Sequence, residues 1–334
     1  GEYWGIKNIR EKYDERYLER HFGGDAEDYD IVGVCGELES GDLEEFDEMI
    51  GFVLTNNLSD SSNYEQLAQM LDIPNFIDYN IAEIYFANQD WPCNNYKLWK
   101  SNSDTARWRV LIYDMDQTFG FSESSYSSPS FVEATTVGEF PYCACSNLLL
   151  RKLLENEGFK EQFIQTFYCR MQTTYNANSV LAKIDELAHL YEPEILEQSA
   201  RWGFPWGMDM WQNQVEDLRT FAQLRNTYLE QHMETFFGLY NFDYECGQEI
   251  GETGLIIFPN PNEGEFSIYN DLSINLVGDL VITNASGQSV FNQKDYTLNK
   301  GATLGLSIPN LSPGQYALSI YSSLGLYSAL LVVE

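Results

Sequence analysis

The chain has 334 residues with 19 Lys and Arg against 51 Asp and Glu, a net charge of −32, and 44% of its residues are hydrophobic. This apolar content is far above that of an acidic disordered chain, and the length suits two domains. The field of such a charge repels polyanions, which excludes nucleic acid as a partner held by phosphate neutralisation and favours cations instead, and no run approaches the ~18 consecutive apolar residues of a membrane span.

The opening Gly1-Glu2-Tyr3-Trp4 lacks an initiating Met and reads as the middle of an element, so further sequence is expected before it. Asp72-Ile73-Pro74-Asn75 predicts a helix start with proline in the first turn, and Ile77, Ile81, Ile84 and Asn88 run down one face of that helix towards Asp90. After the loop from Asp90 to Asn95, the runs Tyr96-Lys97-Leu98-Trp99-Lys100 and Arg107-Trp108-Arg109-Val110-Leu111-Ile112-Tyr113 flank the turn Ser101-Asn102-Ser103-Asp104-Thr105. They predict a two-stranded hairpin that ends in Asp114-Met115-Asp116. Apolar residues at helical spacing mark residues 158–174, Val180 to Tyr191, and Val215 to near Gly238 as helices whose stripes are core. Arg201-Trp202-Gly203-Phe204-Pro205-Trp206-Gly207 reads as an aromatic loop packed onto helices, with stacking against a sugar as the alternative.

Near residue 250 the character changes. Residues 251–334 contain no Arg and only Lys294 and Lys300, and about seven short alternating runs, from Leu255-Ile256-Ile257-Phe258 to Ala329-Leu330-Leu331-Val332-Val333, are broken by turns such as Asn284-Ala285-Ser286-Gly287. This pattern predicts a small all-β sandwich. The expected boundaries are 1–246 for the first domain, 247–254 for a linker and 255–334 for the sandwich, an α+β chain overall. The six cysteines show no C-x-x-C spacing for zinc, and their even number permits three disulfides in an oxidising compartment.

The nucleophile elbow, the phosphate-binding P-loop and the zinc-protease signature are missing, and the three histidines lie far apart in sequence. Residues 72–120 remain. A phosphotransfer centre of the protein-kinase type needs a carboxylate to orient and deprotonate a hydroxyl, an amide five residues later as a metal ligand, and a second carboxylate brought back beside them. Asp90 and Asn95 have that spacing, and the hairpin returns Asp114 and Asp116 to the same end of the fold. On a continuing strand the two acids would face opposite ways, whereas a turn starting at Asp114 would relax this. The spacing alone also fits Asp90 and Asn95 as hairpin caps with Asp114 and Asp116 as solvated turn residues.

Gly1-Glu2-Tyr3-Trp4-Gly5-Ile6-Lys7-Asn8-Ile9-Arg10-Glu11-Lys12-Tyr13-Asp14, then Asp90-Trp91-Pro92 with Asn94-Asn95, then Trp108 through Gly120, closely resemble the CotH family of atypical, secreted-type protein kinases, over residues 1 to about 240. The resemblance implies a divergent kinase-like domain, here a mostly helical C-lobe truncated at its N-terminus, that transfers phosphate from ATP to Ser/Thr of protein substrates with Mg²⁺ or Mn²⁺. It implies Asp90 as the catalytic base-like carboxylate, Asn95 as a metal ligand, and Asp114 or Asp116 as the metal-binding acid, the last three forming the cofactor site. Tyr113 stands where Trp is typical, and the phosphate-covering strands and their lysine are expected at or before residue 1, Lys7 and Lys12 being the early basic candidates.

The tail carries a second resemblance. Phe258-Pro259-Asn260-Pro261 with Gly264 and Phe266, Ile282-Thr283-Asn284 with Gly287-Gln288-Ser289-Val290, Leu311-Ser312-Pro313-Gly314-Gln315-Tyr316 and the closing Leu330-Leu331-Val332-Val333-Glu334 look like the C-terminal sorting domain of the type IX secretion system. This implies a Bacteroidetes-type secreted or cell-surface protein, recognised by that machinery through residues 255–334, with a signal peptide upstream of residue 1. The competing expectations are a catalytically inactive kinase-like surface protein that binds or builds structure, favoured by the absent lysine and glycine-rich loop, and a metal-dependent acidic adhesin.

Overall fold

The computed structural model describes all residues except 104–105, 120–124, 137–144, 146, 240–245, 247–254, 263, 271–274, 285–287, 309–310, 323–324 and 334. The expected linker and most of the turn at 284–287 therefore lie outside the described residues. The chain divides into two compact units, one of Gly1–Lys12 and Asp30–Glu245, the other of Tyr13–Tyr29 and Cys246–Glu334. Helix α1 (Glu15–Phe22) thus groups with the C-terminal strands.

The first unit is mainly helical. Strands β1 (Tyr29–Val32) and β2 (Leu38–Ser40) precede helices α2 (Glu44–Thr55), α3 (Ser61–Met70) and α4 (Ile73–Phe86). Strands β3 (Lys97–Ser101) and β4 (Arg109–Leu111) follow, then α5 (Ser130–Thr135), α6 (Leu148–Leu153), α7 (Glu157–Gln172), α8 (Ala177–Tyr191), α9 (Ile195–Trp202) and α10 (Met208–Phe237). The expected hairpin is present, with Leu98 opposite Val110, but it is half of a four-stranded sheet in the order β2-β1-β3-β4. The reason is burial: β1 is buried along its whole length and pairs with β3, which the sequence around Asp30 does not advertise.

Helix α4 is the axis of this unit. Asp72 accepts from the Asn75 amide at 3.1 Å as its N-cap, and Pro74 occupies the first turn. The Asn75 side chain then behaves like a strand residue towards β4, accepting from Val110 N at 2.6 Å and donating to Val110 O at 3.3 Å. Trp108 N donates to Met70 O and Asp72 N to Trp108 O, so the start of α4 and the hairpin are one hydrogen-bonded assembly. Residues on all faces of α4 are buried, as in a helix at the centre of a core. Its far end closes on Ala87 in the left-handed region, and its last carbonyls are met by Arg225 of α10, a side chain with no exposure. That guanidinium donates to Ile84 O at 2.6 Å, Tyr85 O at 2.7 Å, Tyr126 O at 2.9 Å, Ser128 O at 3.0 Å and Ser130 Oγ at 2.6 Å. A cation at the negative end of a helix dipole satisfies orphan carbonyls and charge together.

The apolar stripe of α7 packs as expected, and that of α10 does so except for Leu224, which is 37% exposed, but α8 buries only Val180 and Ile184, and Leu187 is 42% exposed. The aromatic loop is a clearer departure. Trp202, Phe204 and Trp206 are 50%, 52% and 80% exposed, so the loop does not pack onto the helices as expected; Trp202 instead meets Trp4, with Arg201 stacked on both rings. A Cys35–Cys145 disulfide links distant parts of this unit, and Cys93 and Cys169 are disulfide-bonded as well.

Among the described residues of the second unit, seven strands follow α1: β5 (Leu255–Phe258), β6 (Glu265–Asn270), β7 (Leu276–Asn284), β8 (Ser289–Leu298), β9 (Thr303–Ser307), β10 (Gly314–Ser322) and β11 (Gly325–Val333). They form two antiparallel sheets, β11-β10-β7-β8 and β5-β6-β9, whose inward residues share one buried cluster that includes Phe266, Ile282, Leu318 and Leu331. The asparagines of the Pro-Asn-Pro-Asn segment hold the last strand. Asn260 accepts from Val332 N at 2.7 Å and donates to Leu330 O at 2.7 Å, and Asn262 donates to Val332 O through its side chain at 3.1 Å.

Candidate functional site

The site lies where α4 ends and the hairpin begins and ends. Two main-chain bonds lay the second acidic segment against the first, Gln89 N to Gln117 O at 3.1 Å and Phe119 N to Phe86 O at 3.2 Å. Asp90 is half-buried. Its Oδ1 accepts from Asn94 Nδ2 at 2.8 Å and its Oδ2 from Asn95 Nδ2 at 3.1 Å. The same Asn95 amide donates to Asp114 O at 3.3 Å, while Asn95 O accepts from the Tyr79 hydroxyl at 3.2 Å.

Asn95 and Asp114 have φ of 56° and 53°. Non-glycine residues in the left-handed region cost about 1–2 kcal/mol each, and such strain gathers at functional sites. Here the strain has a visible consequence: strand β4 stops at Leu111, so Asp114 leaves the pleat and presents its carbonyl to Asn95. Asp90, Asn95 and the Asp114 main chain are thus brought together. The Asp114 carboxylate is exposed and lies 3.6 Å from Arg10 Nη1, and Asp116 is exposed in the turn that follows.

Several groups around these residues carry no sequence motif. Glu83 of α4 has no solvent exposure, and burial pushes its carboxyl from 4.5 up to about 7, against the lowering effect of its bond from Asn88. Tyr113 is pushed up to about 12, by burial first and then by Glu39, Asp114, Glu83 and Asp90. Tyr79 is raised well above its ordinary value, again by burial first and then by Glu83. Lys97, nearly buried on β3, pairs with Glu39 at 2.7 Å and lies 5.1 Å from the Tyr113 ring centre. A lone acid in the otherwise apolar stretch Ile81-Ala82-Glu83-Ile84-Tyr85 was the available signal for Glu83, and Arg10 was legible only as one basic residue among several.

Among the described residues no group of three or more His, Cys, Asp or Glu is gathered as a metal cage. Mg²⁺ needs none, because it takes one or two protein ligands and fills its octahedron with phosphate oxygens and water. Asn95, Asp114 and Asp116 offer amide and carboxylate oxygens, the hard donors that Mg²⁺ and Mn²⁺ prefer, and both acids are open to solvent. The donor set therefore fits such an ion.

Compared with known families, residues 1–229 match the model described as CotH kinase protein, and residues 256–334 match the secretion system C-terminal sorting domain. No curated protein matches the chain.

Proposed function

Because the chain belongs to the CotH kinase protein family and ends in a type IX sorting domain, which marks it as secreted or cell-surface, we propose that it is an ATP-dependent protein serine/threonine kinase acting outside the cytoplasm. On this reading the helical unit is a divergent kinase C-lobe and the β unit an Ig-like sandwich read by the secretion machinery. The observation that carries the proposal is the single amide of Asn95 bridging the Asp90 carboxylate at 3.1 Å and the Asp114 carbonyl at 3.3 Å, which holds a proton acceptor and the second acidic loop in one place.

The roles follow from the groups. Asp90 orients the Ser/Thr hydroxyl and takes its proton as the new O–P bond forms and the bond to ADP breaks. Its two oxygens retain lone pairs beyond those used by Asn94 and Asn95. Asn95 with Asp114 or Asp116 would hold Mg²⁺ or Mn²⁺, which when bound neutralises charge on the transferring phosphates. The left-handed turn at Asp114 keeps that acid outside the strand, exposed beside Arg10, where it would face nucleotide.

A kinase-like surface binder without turnover is the second reading, favoured because Lys97, which lies beside Tyr113 next to the second acidic loop, is already committed to Glu39. The experiment is phosphate transfer from labelled ATP by the full-length gene product, with Mn²⁺ or Mg²⁺ and acceptor proteins. Incorporation into Ser/Thr that Asp90→Ala abolishes while the fold persists supports the kinase. Nucleotide binding without transfer under any divalent ion supports the binder.

A further inference from the structure

We propose that Glu83 is a positioning residue for this site, acting through Asn88 on the main chain at Asp90. The catalytic part rests on the kinase reading; the positional part does not. Glu83 lies one turn before the end of α4, fully buried. Its Oε2 accepts from Asn88 Nδ2 at 2.9 Å, and Asn88, itself 4% exposed, uses its Oδ1 to accept from Asp90 N at 3.1 Å. Asn88 N is bonded to Glu83 O, and its Nδ2 also lies 3.6 Å from the sulfur of Met115, between the two acids of the second loop. One buried amide therefore touches the helix end, the proton acceptor's main chain and the Asp114–Asp116 turn.

Stability does not explain the carboxyl. Glu83 is fully buried, its neighbours on the helix are apolar, and its carboxyl interacts with the Asn88 amide and the Tyr79 hydroxyl, so an aliphatic side chain would spare the core the cost of burying a carboxyl. What an aliphatic residue cannot do is fix the Asn88 amide. With Oε2 as acceptor, the Asn88 NH₂ must face Glu83, and its carbonyl is thereby aimed at Asp90 N. Without it the amide is free to turn over and present its donors to the Asp90 N–H, which breaks the bond that orients the loop.

The test uses the full-length gene product with Glu83→Gln, Glu83→Leu and Asn88→Ala. Hydrogen exchange is read for residues 88–95 against α10 as internal reference, together with kcat and KM for ATP. Glu83→Gln keeps the acceptor and should leave exchange of 88–95 and kcat within about twofold. Glu83→Leu and Asn88→Ala should speed exchange of 88–95 by roughly tenfold or more while α10 stays protected, and lower kcat by about 10–100-fold with KM for ATP changed far less, as loss of a supporting contact does. If both variants leave exchange of 88–95 unchanged, or loosen α10 equally, Glu83 is only a core residue and the inference falls. If Glu83→Leu does not fold, Asn88→Ala alone decides. If the unaltered protein transfers no phosphate, the kinase reading fails, and the exchange comparison still decides whether Glu83 positions the loop.

Discussion

A carboxyl held away from water makes the protein's stability depend on pH in a defined direction. Glu83 is raised in the folded state from 4.5 to about 7, so between those values the folded protein holds a proton that the unfolded chain has released. Stability therefore falls as pH rises through this window, by about 3 kcal/mol for a shift of this size. Glu83→Gln cannot titrate. The stability difference between variant and parent should move in the variant's favour from about pH 5 to about pH 8, by up to that amount, in denaturant titrations at each pH. A difference that stays flat would show that Glu83 is not held in the environment described. Arg225 is the opposite case, a buried charge whose donors all meet main-chain carbonyls or Ser130. Burial lowers its pKa to about 10, which still leaves it charged at neutral pH. Arg225→Ala would strand the carbonyls of Ile84, Tyr85, Tyr126 and Ser128 and should cost about 3–5 kcal/mol in thermal or chemical unfolding.

At the scale of elements, the site is a product of how α4 is tied at both ends. Its start is bonded to the hairpin through Asp72, Asn75 and Trp108, and its end is held by Arg225, so the loop that carries Asp90 leaves a rigid support. Trp108 is 1% exposed and meets Phe46 edge-on, with ring centres 5.7 Å apart. Trp108→Ala should lower stability by roughly 3–5 kcal/mol, whereas Asp90→Ala, at a half-buried loop position, should cost much less and act on transfer. Melting curves of the two variants beside a transfer assay separate support from chemistry. In the β unit, Asn260 and Asn262 replace main-chain partners for β11, which gives the Pro-Asn-Pro-Asn segment a structural reason independent of any receptor.

At the scale of the molecule, a charge of −32 makes self-repulsion a standing cost of the compact state. Added salt screens charges beyond about 10 Å at 0.1 M and further at higher concentration, so the melting temperature should rise with NaCl near neutral pH. A melting temperature that falls with salt would mean that surface ion pairs such as Arg219–Asp185 outweigh the repulsion. The same charge leaves the protein open to divalent cations, the class of ion that the proposed chemistry needs.

What the sequence determined by itself was whatever rests on local periodicity and on order along the chain. Helices α7 and α8, most of α10 and the strands of the tail follow from apolar spacing and turn residues, α9 does not, and the order Asp90, Asn95, Asp114 with a hairpin between was readable because a hairpin must return the chain to where it began. Tertiary structure alone decided the rest. β1 joins the hairpin's sheet from 65 residues upstream of β3, counted between Val32 and Lys97, and no periodicity encodes a pairing at that separation. The left-handed turn at Asp114 settles which of its groups meets Asn95, because the steric cost of that conformation is recovered from bonds made across the loop. Glu83, Asn88 and Arg225 looked like ordinary helix and loop residues in sequence. Their roles arise from burial, which turns a hydrogen bond into the sole means of satisfying a polar group, and burial is a property of the packed molecule.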